Sequence, residues 1–193
     1  TLFRSKVLRS KPHRLDTRWG YDYTDPDMVA HWRTVLRRWK AMGLRGLKFD
    51  YPDMGWPADG GQHDADATAA MGYRAVYAIA REELGVECDI HERMGPGGDL
   101  NIGLVSTHRI MGDADRMYAP LGTSAALRWY KSRRAVHYDL DVKNPRNAVP
   151  DNRDGKRTGW TVTAVTSSRM ELGRYPETCT AEENWDLGRV LPT

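Results

Sequence analysis

Phenylalanine is almost missing from this chain: its 193 residues include two, against nine tyrosines and seven tryptophans. Tryptophan stacks on sugars and other flat ligands, yet most tryptophan in a globular domain serves packing, so the imbalance alone decides nothing. Cysteine is as scarce. Cys88 and Cys179 stand far apart and lack metal-ligand spacing, which argues against a cysteine-based metal site and a disulfide framework. Cys88 falls in a predicted buried strand and reads as a free core thiol. No run approaches the roughly 18 apolar residues of a membrane span. No signal peptide is visible either, although the first residue is not Met, and a removed targeting segment would mark a secreted or periplasmic protein. An excess of one charge is also lacking, since 29 Lys+Arg face 26 Asp+Glu for a net charge of +3. The basic runs "LRRWK" and "KSRR" each close a predicted helix, where cations favour the macrodipole. Neither a nucleic acid nor a membrane is therefore an expected partner.

What is present is a chain 40% hydrophobic, enough for one domain with a sizeable core over residues 1–193. No repeat, low-complexity tract or linker interrupts it. Strands and helices alternate, the pattern of an α/β fold with a parallel sheet. "YDYTDPD" places a short strand before an N-cap and Pro26 in the first helical turn. The helix runs to about Met42, with Val29, Trp32, Leu36 and Trp39 at helical spacing, and Gly43 stops it. The strand 44–50 follows, then a polar loop and a helix from about Asp66 to Leu84, stopped by Gly85. "VECDIHE" makes the next strand, with a Gly-rich bend and a short helix near Leu100 to Val105 behind it. Next come the strand "HRIMGD", a helix from Ser124 to Arg133 and the strand "AVHYDLD". A polar loop over 143–156, the helix "TGWTVTAVTSS", the strand "RMELG" and a helix from near Thr180 complete the chain.

That reading contains about six strand–helix units, whereas a closed (β/α)8 barrel needs eight and roughly 250 residues. The expected fold is therefore an incomplete (β/α)8, TIM-barrel-like domain without its first two strands. Its opening, "TLFRSKVLRS", resembles neither a strand-capping element nor a tag. The missing strands would come from the rest of the chain or from another chain, including a homo-oligomer, because exposed strand edges invite pairing. A six-stranded open sheet is the rival, and periodicity does not separate the two.

In either architecture ligands gather at the carboxyl ends of parallel strands, and ionisable groups collect there in this sequence. The successive ends carry Asp22; Lys48 and Asp50; His91 and Glu92; Arg109 and Asp113; Asp139 and Asp141; and Glu171. Each has a bland alternative. Asp113 or Asp115 could cap the next helix, Lys48 and Asp50 could be an ion pair plugging the sheet, and His108 and His137 suit local packing. The loop "GPGGD" follows a strand but lacks the Lys-Ser/Thr of a P-loop. His91 and Glu92 lack a second histidine at ligand spacing, so no metal or other cofactor is expected. Lys48 and Asp50 share one strand face, because side chains alternate with period two. A lysine beside a carboxylate favours the charged form that a nucleophile needs. Paired carboxylates on neighbouring strand ends, with Trp and Tyr close by, fit glycoside hydrolysis.

"GLKFDYPD" resembles the lysine-x-aspartate strand of the melibiase-type α-galactosidases, glycoside hydrolase family 36 and its clan D relatives. "HRIMGD" is similar to their arginine-x-x-x-aspartate strand. "YDYTDPDMVAHW", "MGPGGDLNIG" and "WTVTAVTSSRMELGRYPE" followed by "VLP" resemble further stretches in the same order, so that the likeness runs from about Tyr21 to Pro192. It implies a retaining mechanism on an oligosaccharide or glycoside, with Asp50 as nucleophile and Asp113 as general acid/base. Lys48 and Arg109 would hold sugar hydroxyls, with Tyr51, Trp56, Glu92 and Asp141 as further substrate-binding residues. Where the family's Gly-rich loop carries cysteine or serine and then arginine-x-aspartate, this chain holds Glu92, Met94 and Asn101. Tyr51-Pro52 replaces the asparagine often found after the nucleophile. Two alternatives stay open: a non-catalytic carbohydrate-binding or structural barrel domain of a larger protein, and a metal-assisted hydrolase using His91, Glu92, Asp139 and Asp141.

Overall fold

The computed structural model describes residues 7–9, 19–50, 62–93, 99–110, 118–143, 153–166, 169–172 and 176–190. The chain forms two compact units, Thr1–Ser106 and Thr107–Thr193. The first contains β1 (Val7–Arg9), β2 (Trp19–Tyr21), α1 (Pro26–Ala41), β3 (Gly46–Phe49), α2 (Ala69–Leu84) and β4 (Asp89–Glu92). The second contains β5 (Thr107–Arg109), α3 (Tyr118–Arg128), β6 (His137–Lys143), α4 (Arg153–Thr166), β7 (Arg169–Leu172) and α5 (Ala181–Val190).

Local chemistry sets the ends of α1. The Asp25 side chain accepts from the backbone N–H of Asp27 at 2.9 Å and of Met28 at 3.3 Å, while Pro26 occupies the first turn, where its missing N–H costs nothing. At the other end Gly43 takes φ 87°, a left-handed conformation that glycine adopts without a Cβ penalty. Gly85 ends α2 in the same way, at φ 85°. The apolar stripe of α1 meets β3 through aromatic rings: Trp32 lies 5.7 Å from Trp39 and 6.0 Å from Phe49. Phe49 in turn lies 4.9 Å from Tyr77 of α2. The scarce phenylalanine thus sits where two helices close over a strand. On the outer side, Glu83 of α2 accepts from Arg33 at 2.6 Å and from Arg37 at 2.8 Å, stitching α2 to α1.

β3 and β4 run parallel, with Leu47 opposite Ile90, Lys48 opposite His91 and Phe49 opposite Glu92. A single guanidinium ties the approach to β4 to the segment that follows it. Arg81 donates to the carbonyls of Gly85 at 2.7 Å, Cys88 at 2.8 Å and Leu104 at 2.8 Å, and to Ser106 Oγ at 3.0 Å. In the second unit β6 pairs in parallel with both β5 and β7, with a register shift between Asp139 and Val142. The helix α5 opens on a capping box: the Thr180 N–H donates to Glu183 Oε2 at 2.8 Å, and the Glu183 N–H donates to Thr180 Oγ1 at 3.2 Å. Arg157 of α4 grips Asp186 of α5 through Nε at 2.7 Å and Nη2 at 2.9 Å.

Several sequence expectations are corrected. The opening segment holds a strand after all, and β1 pairs antiparallel with β2, Val7 opposite Tyr21 and Arg9 opposite Trp19. The first predicted strand is thus half of a hairpin, because pairing partners are chosen by tertiary contact and leave no trace in periodicity. The helix expected near Leu100 to Val105 is a run of hydrogen-bonded turns, with Ile102 N–H donating to Asp99 O at 3.2 Å and Leu104 N–H to Asn101 O at 2.9 Å. α3 begins at Tyr118, ahead of the expected Ser124, since Pro120 is tolerated in a first helical turn. α4 likewise starts inside the polar stretch, at Arg153. Cys88 is buried, as expected of a core thiol, and neither cysteine is in a disulfide. No described helix is long and apolar enough to cross a membrane.

Candidate active site

The carboxyl ends of β3 and β4 carry the residues of interest in the first unit. Phe49 faces the helices, as its ring contacts with Trp32 and Tyr77 require. Lys48 and Asp50, one residue to either side, belong to the opposite face. Both are exposed. Arg93 Nη1 donates to Asp50 Oδ2, forming the ion pair of this strand end, and the Arg93 backbone N–H donates to Phe49 O at 3.1 Å. Sequence reasoning assigned Asp50's cation to Lys48 and missed Arg93. The signal was available once the strands are aligned: with Phe49 opposite Glu92, the next residues along each strand are Asp50 and Arg93, a complementary pair.

Glu92 lies on the other side of the sheet from Lys48. It shares the face of its register partner Phe49, is 1% exposed, and accepts from the Tyr73 hydroxyl and from Asn101 Nδ2 at 2.9 Å. Burial raises its carboxyl above the usual range, opposed by the hydrogen bonds from Tyr73 and Asn101. Burial also raises the Tyr73 hydroxyl, with the neighbouring Tyr77 and Glu92 adding to it. Glu92 therefore braces the strand end against α2 and the segment holding Asn101, where it was expected to wall a sugar pocket. His91, opposite Lys48, takes the face that Glu92 does not. Neighbouring residues on a strand point apart, so His91 and Glu92 do not converge on one cation as the metal-assisted reading required.

Asp22, expected at the rim, is 1% exposed and has both oxygens engaged within the fold. Its Oδ1 accepts from the Thr24 N–H at 2.9 Å and the Thr24 hydroxyl at 2.7 Å. Its Oδ2 accepts from the His63 N–H at 2.6 Å, tying the start of α1 to the segment that leads into α2.

In the second unit Arg109 ends β5, buried at 1% exposure and opposite Asp139 of β6. Asp139 is 0% exposed and in register with Arg169 of β7 as well. A buried carboxylate thus stands between two arginines along three strands, on a shared face. Arg169 also reaches Glu171 at 3.4 Å and Thr107 Oγ1 at 3.4 Å. Tyr138 of β6 and His108 of β5 meet edge to face at 6.0 Å, the packing role expected of His108. Asp141 lies on β6 within the register shift, its side chain outside the described residues. Asp113, Tyr51 and Trp56 also lie outside the described residues.

The fold is an incomplete (β/α)8, TIM-barrel-like arrangement, and it is shared with solved proteins. Two solved proteins carry the comparison. An α-galactosidase from Thermus thermophilus in complex with stachyose superposes with a TM-score of 0.70 over 97% of this chain, at 18% identity. A GH27 β-L-arabinopyranosidase from Geobacillus stearothermophilus in complex with arabinose gives a TM-score of 0.65 over 91% of this chain, at 14% identity. The chain spans 43% and 42% of the length of those two proteins. No protein-family model and no curated protein sequence matches it.

Proposed function

We propose that this chain is the catalytic part of a retaining glycoside hydrolase of the α-galactosidase-like type, releasing a terminal glycosyl residue from an oligosaccharide or glycoside. The observation that carries this reading is Asp50, a carboxylate at the carboxyl end of a parallel strand in a fold shared with sugar-bound glycosidases. Asp50 attacks the anomeric carbon while Asp113 protonates the departing oxygen. Asp113 then takes a proton from water as it opens the glycosyl ester. Lys48 and Arg109 hold sugar hydroxyls, and Tyr51, Trp56 and Asp141 border the pocket. Glu92 acts from behind, holding the end of β4. The same fold supports one domain over residues 1–193, completed as a barrel by further strands of the protein or of a second copy.

Asp50→Asn tests the reading. Turnover of an activated aryl glycoside falls to background and azide restores it as a glycosyl azide; turnover equal to that of the unaltered protein rejects Asp50 as nucleophile. A retaining pair further requires the Asp50 and Asp113 carboxyls about 5–5.5 Å apart in a sugar complex. Glu92, turned into the fold instead of walling a sugar pocket, favours one alternative, a barrel that binds sugar without cleaving it. Calorimetric sugar binding in a protein that hydrolyses no glycoside selects that alternative.

A further inference from the structure

We propose that Arg93 is a positioning residue for Asp50, holding one carboxylate oxygen so that the other meets the sugar. The inference rests on Asp50 being the nucleophile. Arg93 Nη1 contacts Oδ2, whereas Oδ1 accepts no hydrogen bond among the described residues. A free carboxylate turns about its last side-chain torsion in a broad, roughly two-fold well and presents either oxygen. One charge-assisted bond to a single oxygen removes that freedom.

Both partners are anchored from behind. The Arg93 backbone N–H donates to Phe49 O at 3.1 Å, extending the β3–β4 ladder one step beyond the last register pair. Before Asp50, the Phe49 ring is packed against Tyr77 at 4.9 Å; before Arg93, Glu92 is held by Tyr73 and by Asn101 at 2.9 Å. Both side chains thus start from anchored strand positions, and the guanidinium sets the direction of the carboxylate.

The chemistry balances. In the first step an Oδ1 lone pair bonds to the anomeric carbon as the glycosidic C–O bond breaks. The bonding pair leaves with the aglycone oxygen, which takes its proton from the general acid. In the second step water attacks the anomeric carbon, passing a proton to the now deprotonated general acid, and the C–Oδ1 bond breaks. The pair returns to Asp50, whose regenerated carboxylate is again stabilised by Arg93. Arg93 thus orients the attack and favours Asp50 as the leaving group.

The test uses the complete protein and two readouts. In steady-state kinetics on an aryl glycoside, Arg93→Ala lowers kcat by roughly 10- to 100-fold with KM little changed, the scale of a misplaced reacting group. Arg93→Lys restores part of the loss, and millimolar guanidinium restores turnover in Arg93→Ala but none in Asp50→Asn. The second readout is covalent labelling with galacto-, gluco- and manno-configured cyclophellitol aziridines, with the adduct located by peptide mass spectrometry. Arg93→Ala slows labelling of Asp50 by a similar factor. Labelling of Asp50 at an unchanged rate in Arg93→Ala overturns the proposal and leaves the nucleophile assignment intact. Absence of any label on Asp50 in the unaltered protein overturns both. Arg93→Gln carries the same comparison should Arg93→Ala fail to fold.

Discussion

Asp22 separates a structural carboxylate from a sugar-binding one, and its removal has a calculable cost. Asp22→Ala leaves three donors without their acceptor: the Thr24 N–H at 2.9 Å, the Thr24 hydroxyl at 2.7 Å and the His63 N–H at 2.6 Å. A hydrogen bond to a charged acceptor contributes about 1.5–3 kcal/mol, and partly buried donors recover some of that by binding water. The three bonds also share one carboxylate and do not add. The net loss is therefore about 3 kcal/mol, on the order of a hundredfold in the folding equilibrium and about 6–12 °C in Tm for a chain of this size. Asp22→Asn is nearly as damaging, because one amide nitrogen must replace an oxygen that now accepts, setting donor against donor. Urea denaturation checks this: the midpoint drops in both variants while the m-value holds. A change below about 0.5 kcal/mol in Asp22→Ala refutes the structural role and returns Asp22 to the rim as a candidate ligand for substrate.

Two further outcomes follow from the helices. Arg37 and Arg33 together lower the Glu83 carboxyl to about 2 from its ordinary 4.5. A carboxyl depressed in the folded state contributes stability above its unfolded value and loses it as pH falls. Thermal melts should therefore show Glu83→Gln less stable than the unaltered protein near pH 6, with the difference closing between about pH 4.5 and 2; a constant offset refutes the linkage. Thr180→Ala removes the cap of α5 and costs about 1 kcal/mol, whereas Thr180→Ser, which keeps the hydroxyl, stays within a few tenths of the unaltered protein by the same denaturation assay.

The features legible in the sequence were those written in neighbouring residues. Asp25 before Pro26 announces a helix start, Gly43 and Gly85 announce helix ends, and a further helix start is legible near Thr180. The alternation in "GLKF" placed Lys48 and Asp50 on the face away from Phe49, and the alternation of strands and helices anticipated an incomplete (β/α)8 fold. Two helix starts escaped: Tyr118, because Pro120 and Gly122 read as breakers, and Arg153, because it lies in a polar stretch with weak hydrophobic periodicity.

The sequence by itself determined the cap of α1, the glycine stops after α1 and α2 and the side of β3 on which Lys48 lies, because each depends on torsions and alternation within a few residues. Tertiary structure alone decided that β1 and β2 pair antiparallel, that Glu92 turns toward Tyr73 and Asn101, that Asp22 is used up within the fold, and that Arg93 holds Asp50. These are pairings between residues distant along the chain. Register, which brings Asp50 and Arg93 opposite one another, is set only when two strands and the helices covering them pack together.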